Sequence, residues 1–429
     1  MSSLKQLDAV EDWYLDDQRY RSWLIAVFAT VVGCLTFNFF LAIINTNVTA
    51  IRESHVVVSE LMLISCGLLL ALTRSGGFYA LLVLFLTYMA FILALRSEMD
   101  LKAIRDILIP LTFYFVGRRF RSLEDADRLI FLAAVIVTGI ALFEFLMLDV
   151  FTSVVNIFDY YVARGSLAAD DNFVEGSTLF ISSTRIGGRN FFGFLGNVRA
   201  SSVFLEPVTM GNFGAFLCLW ALFRTDMQRR LLLFFLAFLV IVLGDARFGM
   251  FVCLAFLVAL PFARIAPSIV WWLIPFIVMA LLGLYGEIVQ GEPWGDDLLG
   301  RIVHSAQLMA KLEWASAFGI EANLPFLDDN GYAYTLSQIG VIGTIVLWSL
   351  FVFTAGQRSV ALRFKALAVV FICLLMIVSN SFYSIKLAAL FWLAAGAVDA
   401  TGQEDLDQYR ISETLPKPIT SLRKMLSPG

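Results

Sequence analysis

Long apolar runs separated by polar connections form the dominant pattern of this chain. If a membrane-spanning helix takes about 20 mostly apolar residues, the pattern predicts about twelve spans, at 22–44, 56–73, 77–95, 101–117, 129–149, 207–223, 231–244, 249–263, 269–285, 332–354, 366–382 and 385–398. An even number of crossings places both termini on the same side. The pattern therefore predicts an all-α, polytopic membrane bundle with about 12 transmembrane helices.

The connections between these runs differ in length and in charge. On one side they are short and basic, with the sequences RRFR (118–121), QRR (228–230) and QRSVALRFK (357–365). Basic residues are retained at the cytoplasmic face, so this side and both termini are assigned to the cytoplasm. The opposite side carries two long loops, at about 150–206 and 286–331.

These assignments divide the chain into three parts. Residues 1–21 form a cytoplasmic N-terminal segment, 22–398 form the transmembrane domain, and 399–429 form a cytoplasmic tail. The first segment is polar and acidic, so the first span is predicted to remain as an uncleaved anchor. The tail is polar and contains three prolines, which predicts partial disorder.

Composition supports the membrane assignment and excludes soluble classes. Apolar residues make up 59% of the 429 residues and charged residues 15%, against roughly 45–50% and 25% in soluble domains. Such a chain cannot present a sufficiently polar surface to be a soluble enzyme or a nucleic-acid-binding protein. The five cysteines lie in apolar runs without CxxC spacing, so neither a disulfide framework nor a metal site is predicted.

Several charges are predicted to lie within the outer half of the membrane. The hairpin between Arg230 and Arg264 contains 33 residues, whereas two crossings need about 40. Its tip, residues 244–249 (GDARFG), should therefore lie about 5 Å below the outer surface. The same helical rise places Asp106 about 18 Å from the inner surface and Glu60 about 21 Å from it.

Ionisable residues at such depth usually face a cavity or each other. The charges at Arg105, Asp106, Asp245, Arg247 and Glu60 thus predict a polar cavity that opens to the outside. The alternative for each pair is an internal salt bridge that only stabilises the bundle.

The first long loop contains four arginines, at positions 164, 185, 189 and 199. It leads into the sixth span, where Pro207 fits the first helical turn and Glu206 precedes it at the favourable end of the helix dipole. Arg199 and Glu206 could pair with each other. For the other three arginines, a solvated loop position remains the alternative.

The second long loop contains an amphipathic segment, GRIVHSAQLMAKLEWASAFGIE (300–321). Helical spacing places Arg301, His304 and Lys311 on one face, which predicts a helix on the membrane surface with a basic face. Anion binding by Arg301 and His304, and contact with lipid phosphates, remain alternatives. Asp328 and Asp329 precede the tenth span and could cap it.

Three short motifs together resemble a known family. The segment Arg199 to Gly211 matches R-x-x-S-x-F-x-E-P-x-x-x-G, a signature of Wzy-type polysaccharide polymerases, which are relatives of the O-antigen ligases. Arg247-Phe-Gly249 resembles the arginine-glycine motif of these proteins. Arg301 precedes an Asn330-x-Tyr332 element that leads into Gly-Val-Ile-Gly (340–343), as it does in the family.

The resemblance implies a GT-C-like fold and a glycosyltransferase of the bacterial inner membrane. Such enzymes transfer a growing glycan from undecaprenyl pyrophosphate onto the next lipid-linked repeat unit at the periplasmic face, without metal or other cofactor. Among them the chain looks most like polymerases of xanthan-like exopolysaccharides. The implied partners are the lipid-linked oligosaccharide, the growing polymer, membrane lipids, a flippase, and chain-length or export proteins, with no nucleic acid.

The resemblance also implies roles for individual residues. The catalytic group would be Arg199, Arg247, Arg301 and Asp329, because arginine grips phosphate oxygens and a carboxylate accepts the proton of the attacking hydroxyl. Substrate binding would fall to Glu206, Asn330, Tyr332, His304, Arg189 and Arg105.

One position departs from the ligases and leaves the base open. The ligases commonly have histidine immediately before the asparagine, whereas this chain has Asp329 before Asn330. The departure favours a polymerase and leaves two candidate bases, Asp329 and His304. The alternative functions are an O-antigen-type glycan ligase and a transporter or flippase of lipid-linked oligosaccharides. A transporter would be expected to place its site at the midplane, between repeated halves with broken helices.

Overall fold

The protein is all-helical in the computed structural model, which describes residues 17–73, 76–96, 102–172, 174, 176–185, 187–295, 298–321, 327–354 and 359–414. The prediction of an all-α chain is confirmed over these ranges. The sixteen helices found there are α1 Asp17–Asn47, α2 Glu53–Ala71, α3 Gly76–Leu95, α4 Lys102–Gly117, α5 Leu123–Leu146, α6 Leu148–Val154, α7 Ile157–Ala163, α8 Pro207–Phe223, α9 Arg230–Leu243, α10 Arg247–Phe262, α11 Ser268–Ile288, α12 Leu298–Ala310, α13 Trp314–Ala317, α14 Gly331–Phe353, α15 Ser359–Val378 and α16 Ile385–Thr414.

Each of the twelve predicted apolar runs overlaps an α-helix, and the run 129–149 overlaps both α5 and α6. Among the described residues, seven helices are long and apolar enough to cross a membrane, namely α1, α2, α3, α5, α11, α14 and α15. Helices α8, α9 and α10 are apolar but shorter. By length and composition, these seven helices are compatible with a multi-pass membrane protein.

Two glycines allow α4 and α16 to pack with their backbones in contact. A Cβ atom on Gly117 would lie 2.0 Å from the Leu393 carbonyl oxygen, and one on Gly396 would lie 2.0 Å from the Tyr114 carbonyl oxygen. Close approach of helices through small residues is typical of membrane bundles, where dispersion forces replace the hydrophobic effect. This contact positions α4, whose N-terminal half carries Arg105 and Asp106.

The α9–α10 hairpin packs its tip against the buried helix α8. A Cβ atom on Gly211 would lie 2.2 Å from the Cβ atom of Ala246, and one on Gly249 would lie 2.7 Å from the Gly211 carbonyl oxygen. Helix α9 has 14 residues and α10 has 16, which correspond to about 21 Å and 24 Å. A hairpin that starts at the inner surface of a ~30 Å core therefore ends about 6–9 Å below the outer surface.

Helix α14 is broken at Gly340, whose φ of 66° and ψ of 167° are not helical. Side chains of α3 and the residue after it occupy the break. Tyr88 donates to the Ile339 carbonyl at 2.6 Å and accepts from Gly343 N–H at 3.2 Å. Arg96 donates to the carbonyls of Ser337 and Gln338 at 2.6 and 2.8 Å. The backbone groups freed by the break are thus bound by the protein itself.

Gly340→Ala is expected to destabilise the protein by roughly 1–3 kcal/mol, the usual cost of a strained backbone position. Its φ is positive, and a Cβ atom there would lie 2.5 Å from the Phe318 carbonyl oxygen. Gly283→Ala in α11 is the matched control, because a Cβ atom at that position meets nothing within 4 Å. It should be neutral or stabilising. Thermal unfolding in detergent compares the two, and equal transition temperatures would contradict the strain at Gly340.

The second long loop folds against the bundle, and the amphipathic helix predicted in it packs on protein along one face. Helix α12 covers the first half of the predicted segment, and its backbone contacts α11, since a Cβ atom on Gly286 would lie 2.0 Å from the Ala306 carbonyl oxygen. Ser305 and Gln307 are buried. One face of this helix is therefore covered by protein.

The C-terminal segment differs from the expected disorder over part of its length. The backbone of α16 continues as a helix to Thr414, whereas the predicted tail begins at residue 399. Residues 415–429 and the first 16 residues of the predicted N-terminal segment lie outside the described residues. Helix α1 begins at Asp17, inside that segment.

The positive-inside assignment predicts the side on which each connection lies. A reporter fused after Thr354, at the end of α14, should be cytoplasmic, and one inserted near Ala168 should be periplasmic. Paired alkaline phosphatase and fluorescent-protein fusions measure both positions. A cytoplasmic signal near Ala168 would contradict the arrangement of every proposed site.

Candidate active site at the outer ends of the helices

The signature segment, residues 199–211, begins at the end of a closed loop. This loop, residues 183–199, we call the pinned loop. Thr184 and Val198 form an isolated antiparallel bridge at its neck. Arg185 N–H donates to the Asn197 carbonyl at 2.9 Å, and Arg199 N–H donates to the Ser183 carbonyl at 2.8 Å. The neck thereby fixes where Arg199 enters the bundle.

Arg189 and Arg199 bind backbone carbonyls at the C-terminal end of α9. Arg189 donates to the carbonyls of Val198 and Val242. Arg199 donates from Nε to the Gly244 carbonyl at 2.9 Å and from Nη1 to the Ser182 carbonyl at 3.0 Å. Cations are favourable at a helix C-terminus, where free carbonyls collect. Both arginines are buried, so the structure places them where they hold the pinned loop to the hairpin tip.

Asp245, at the hairpin tip, also binds the pinned loop. Its carboxylate accepts from the backbone N–H groups of Asn190 and Phe191 at 2.9 and 2.8 Å, and from Asn190 Nδ2 at 2.8 Å. Arg185 Nε lies 3.6 Å away. The alternative of an internal Asp245–Arg247 pair is therefore wrong. Arg247 is the first residue of α10, is exposed, and makes no polar contact with the described part of the chain.

Glu144 is a site residue that the sequence reasoning missed. It is fully buried near the outer end of α5 and accepts from the backbone N–H groups of Ser201 and Ser202 at 2.8 and 2.6 Å. Ser202 and Leu205 both have left-handed φ values, 52° and 63°. Non-glycine residues in that region store strain, so Glu144 fixes a strained turn within the signature. A lone carboxylate in the apolar run LFEFL was the available signal.

Glu206 lies at the start of α8 among polar partners. Tyr161 donates to one carboxylate oxygen, and Thr209 donates to the other at 2.9 Å. Lys386 Nζ lies 4.0 Å from Oε1 and donates to the Phe204 carbonyl at 3.0 Å. Burial acts to raise the pKa of Glu206, but Lys386 and these hydrogen bonds outweigh it, so the pKa is lowered and the carboxyl is ionised.

A second set of charges joins α2, α4 and α14. Arg105 contacts Glu60 at 2.9 Å and Asp106 at 2.8 Å. Tyr334 donates to Asp106, and Lys102 Nζ lies 4.9 Å from the centre of the Tyr334 ring. The predicted internal pairing of Arg105 with Asp106 is therefore present, extended by Glu60.

The two sets are connected electrostatically, because the positive charges of Lys386 and Arg164 both favour the ionised form of the Glu60 carboxyl group. Arg164 also lies 4.2 Å from the centre of the Tyr161 ring. We call the combined set the outer charge cluster; its members are Glu60, Arg105, Asp106, Arg164, Glu206 and Lys386. It contains three cationic side chains and three carboxylates. The cluster is partly exposed, since the Glu206 side chain is 29% exposed. Lys386 was missed from the sequence, although it is a lone charge in an apolar run.

Arg301, His304 and Asp329 meet at one small pocket, which Trp294 and Val378 also line. His304 Nε2 lies 3.4 Å from Asp329 Oδ2, which is longer than a well-formed hydrogen bond. Trp294 stacks on the His304 ring at 4.3 Å between centroids. The Asp329 side chain is 42% exposed and that of His304 is 12% exposed. The structure thus brings together the two candidate bases and one predicted catalytic arginine.

Asn330 and Tyr332 have structural contacts that leave neither available for the predicted substrate role. Asn330 is the cap of α14, accepting from Tyr332 and Ala333 N–H at 2.9 and 3.0 Å and donating to the Ser305 carbonyl at 2.7 Å. Tyr332 is buried and donates to the Cys373 carbonyl at 2.9 Å. Because Asn330 caps the helix, the capping role considered for Asp329 is wrong.

Comparison with known proteins adds no family to this geometry. No protein-family model, curated protein or solved structure matches the chain.

Proposed function

We propose that this protein is a metal-independent polysaccharide polymerase of the bacterial inner membrane. It would have about twelve spans in a GT-C-like arrangement, with both termini in the cytoplasm. Its substrates would be a growing glycan on undecaprenyl pyrophosphate and a new lipid-linked repeat unit, as in exopolysaccharide synthesis. The resemblance of the 199–211, 247–249 and 330–343 segments to Wzy-type polymerases suggests this class.

The pocket formed by Arg301, His304 and Asp329 is the observation that carries the proposal. Glycosyl transfer from a pyrophosphate needs a proton acceptor for the attacking hydroxyl and a fixed cation for the charge that develops on the leaving group. A carboxylate, an imidazole and a guanidinium supply these functions at the outer end of α14. Asp329 is the more exposed of the two acceptors, so it is assigned as the base, with His304 stabilising the carboxylate.

The proposed step is balanced within the two substrates. A hydroxyl oxygen of the acceptor sugar forms a bond to the anomeric carbon of the donor. The bond between that carbon and the pyrophosphate oxygen breaks, and undecaprenyl pyrophosphate leaves with the electron pair. The hydroxyl proton goes to Asp329. Arg301 stabilises the departing phosphate oxygens, because its guanidinium stays charged and donates paired hydrogen bonds.

The outer charge cluster suits the sugar part of the same substrates. Carboxylates accept hydrogen bonds from hydroxyl groups, and guanidinium and ammonium groups donate to them. Glu206 and Glu60 present partly exposed carboxylates in this cluster. Arg105 and Glu206 thus keep the substrate-binding roles expected of them. The glycan ligase remains the alternative that differs only in its acceptor.

The break in α14 is the observation that favours a transporter instead. Discontinuous helices in transporters leave backbone groups free to bind ions or substrate. In this chain, Tyr88 and Arg96 bind the backbone groups at Gly340. These backbone groups are therefore not free to bind an ion or a transported substrate. The pocket at Asp329 favours the polymerase.

Reconstitution of the purified protein tests the proposal. Protein in nanodiscs, given lipid-linked repeat units, should produce a ladder of glycans that grow by one repeat unit. Nanodiscs expose both substrates to the same solution, so transport cannot account for a ladder. Glycan transfer only to a different lipid acceptor would identify a ligase. An unchanged repeat unit, with an active related polymerase as positive control, would contradict the proposal.

A further inference from the structure

The pinned loop carries an exposed aromatic pair at its tip. Phe192 is 48% exposed and Phe194 is 83% exposed, and their ring centres lie 5.7 Å apart. Large apolar side chains exposed together at a loop tip mark a surface that contacts something other than water. The pair takes no part in the proposed reaction.

The tip has a fixed conformation. Phe192 adopts a left-handed φ of 51°, and Gly193–Leu195 form a single 3₁₀ turn. Immediately before this turn, the Asn190 and Phe191 N–H groups bind the buried Asp245 carboxylate. The aromatic pair is therefore presented at a defined height relative to the hairpin tip.

The hairpin tip sets that height. Helices α9 and α10 end about 6–9 Å below the outer surface of a ~30 Å hydrocarbon core. Asp245 lies at this tip and touches the two residues that precede Phe192. In a membrane-spanning hairpin, the two residues that precede the aromatic pair are therefore held at this level.

The same hairpin lies at an apolar, outward-facing edge of the bundle. Apart from Arg247 at its tip, its exposed residues are apolar, and the large ones are Leu231, Leu232, Phe235 and Phe238 on α9 and Phe251, Leu254, Leu257, Val258 and Phe262 on α10. Helix faces of this composition contact lipid in a membrane protein. The loop that carries the pair is bound at the end of this hairpin.

We propose that the pinned loop inserts Phe192 and Phe194 into the outer leaflet of the bilayer. Part of the loop's backbone is bound within the protein, as irregular backbone at membrane depth must be. Asp245 binds two N–H groups, and Arg189 binds the Val198 carbonyl across the loop. Insertion would fix the pinned loop, and with it Arg199, relative to the membrane surface. The proposal does not depend on the proposed function.

Fluorine NMR of the protein in nanodiscs tests this insertion. Trifluoromethyl-phenylalanine replaces Phe194, a substitution that keeps the ring and the fold. Broadening of its signal is measured with a doxyl-labelled phospholipid and, separately, with a water-soluble gadolinium chelate. The matched control carries the same label at Ala168, an exposed position in the same long loop.

Insertion predicts that the ratio of lipid broadening to chelate broadening at position 194 exceeds the ratio at position 168 at least fivefold. Equal ratios would place the tip in water and overturn the proposal. Protection of position 194 from both agents would mean that protein covers the pair, and would overturn it equally. A thermal unfolding transition within 2 °C of wild type, on the order of a ΔΔG below 1 kcal/mol, confirms that each labelled protein is folded.

Discussion

Asp329→Ser and His304→Gln are each expected to lower polymer formation by about 10²-fold or more, the usual contribution of a general base. The two side chains face each other at 3.4 Å beside Arg301. Serine has no carboxylate to accept the proton, and glutamine can donate a hydrogen bond to the carboxylate but cannot become cationic beside it, as an imidazole can. The rate of repeat-unit addition in nanodiscs measures both variants.

The double variant distinguishes a catalytic pair from two independent contacts. Groups that act as a unit give non-additive losses, so the double variant should be about as slow as the slower single variant. Glu321→Gln is the matched control, because Glu321 is an exposed carboxylate of the same loop and should keep the wild-type rate. A wild-type rate for Asp329→Ser would remove Asp329 as the base and leave His304.

The all-helical class and the places of the apolar helices could be predicted from the sequence, because a helix needs about 20 apolar residues to cross a bilayer. All twelve predicted runs overlap helices, including the short α9 and α10. The break at Gly340 could not be predicted, since it depends on Tyr88 and Arg96, which are distant in the chain. The position of α12 against α11 was also missed, because amphipathicity does not distinguish a lipid surface from a protein surface.

The candidate site was predicted less completely than the fold. Sequence identified Arg301, His304 and Asp329, which the structure brings to one pocket. It could not show that Arg189 and Arg199 bind carbonyls of α9, because that contact depends on how the pinned loop closes. It assigned Asn330 and Tyr332 to substrate from their place beside Asp329, although capping and burial account for both.

The sequence also could not show that Asp245 and Arg247, the two charged residues of the hairpin tip, lie in different surroundings. Asp245 is buried under the pinned loop, and Arg247 is exposed at the first turn of α10. Two residues along a tight turn are enough to reverse the direction of a side chain. We therefore expect substitution of Arg247 to lower the activity of the protein and substitution of Asp245 to lower its abundance.

Arg247→Lys should lower polymer formation about 10- to 100-fold, with protein abundance unchanged. This is the loss expected when one hydrogen bond to a charged group, worth about 1.5–3 kcal/mol, is removed. Lysine keeps the charge but cannot form the paired hydrogen bonds of a guanidinium with a phosphate. The control is Arg264→Lys, an exposed arginine just past the inner end of the same helix, which should leave the polymer yield unchanged.

Asp245→Ala should have the opposite result, with lower abundance as the primary effect. The substitution leaves the N–H groups of Asn190 and Phe191 without their acceptor, at a cost of about 1–3 kcal/mol. It also places alanine at a φ of 46°, which is unfavourable for a residue with a Cβ atom. Asp245→Asn keeps an acceptor oxygen and tolerates that φ, so it should recover much of the abundance.

Polymer formed per molecule of membrane protein, measured alongside immunoblot abundance, separates the two positions. We expect Arg247→Lys to lower the polymer formed per molecule and Asp245→Ala to lower the abundance of the protein. Abundance loss in Arg247→Lys would mean that the guanidinium stabilises the tip. A normal yield per molecule in Arg247→Lys would show that α10 presents this arginine to something other than the substrate phosphate, because only a bidentate site distinguishes arginine from lysine so strongly.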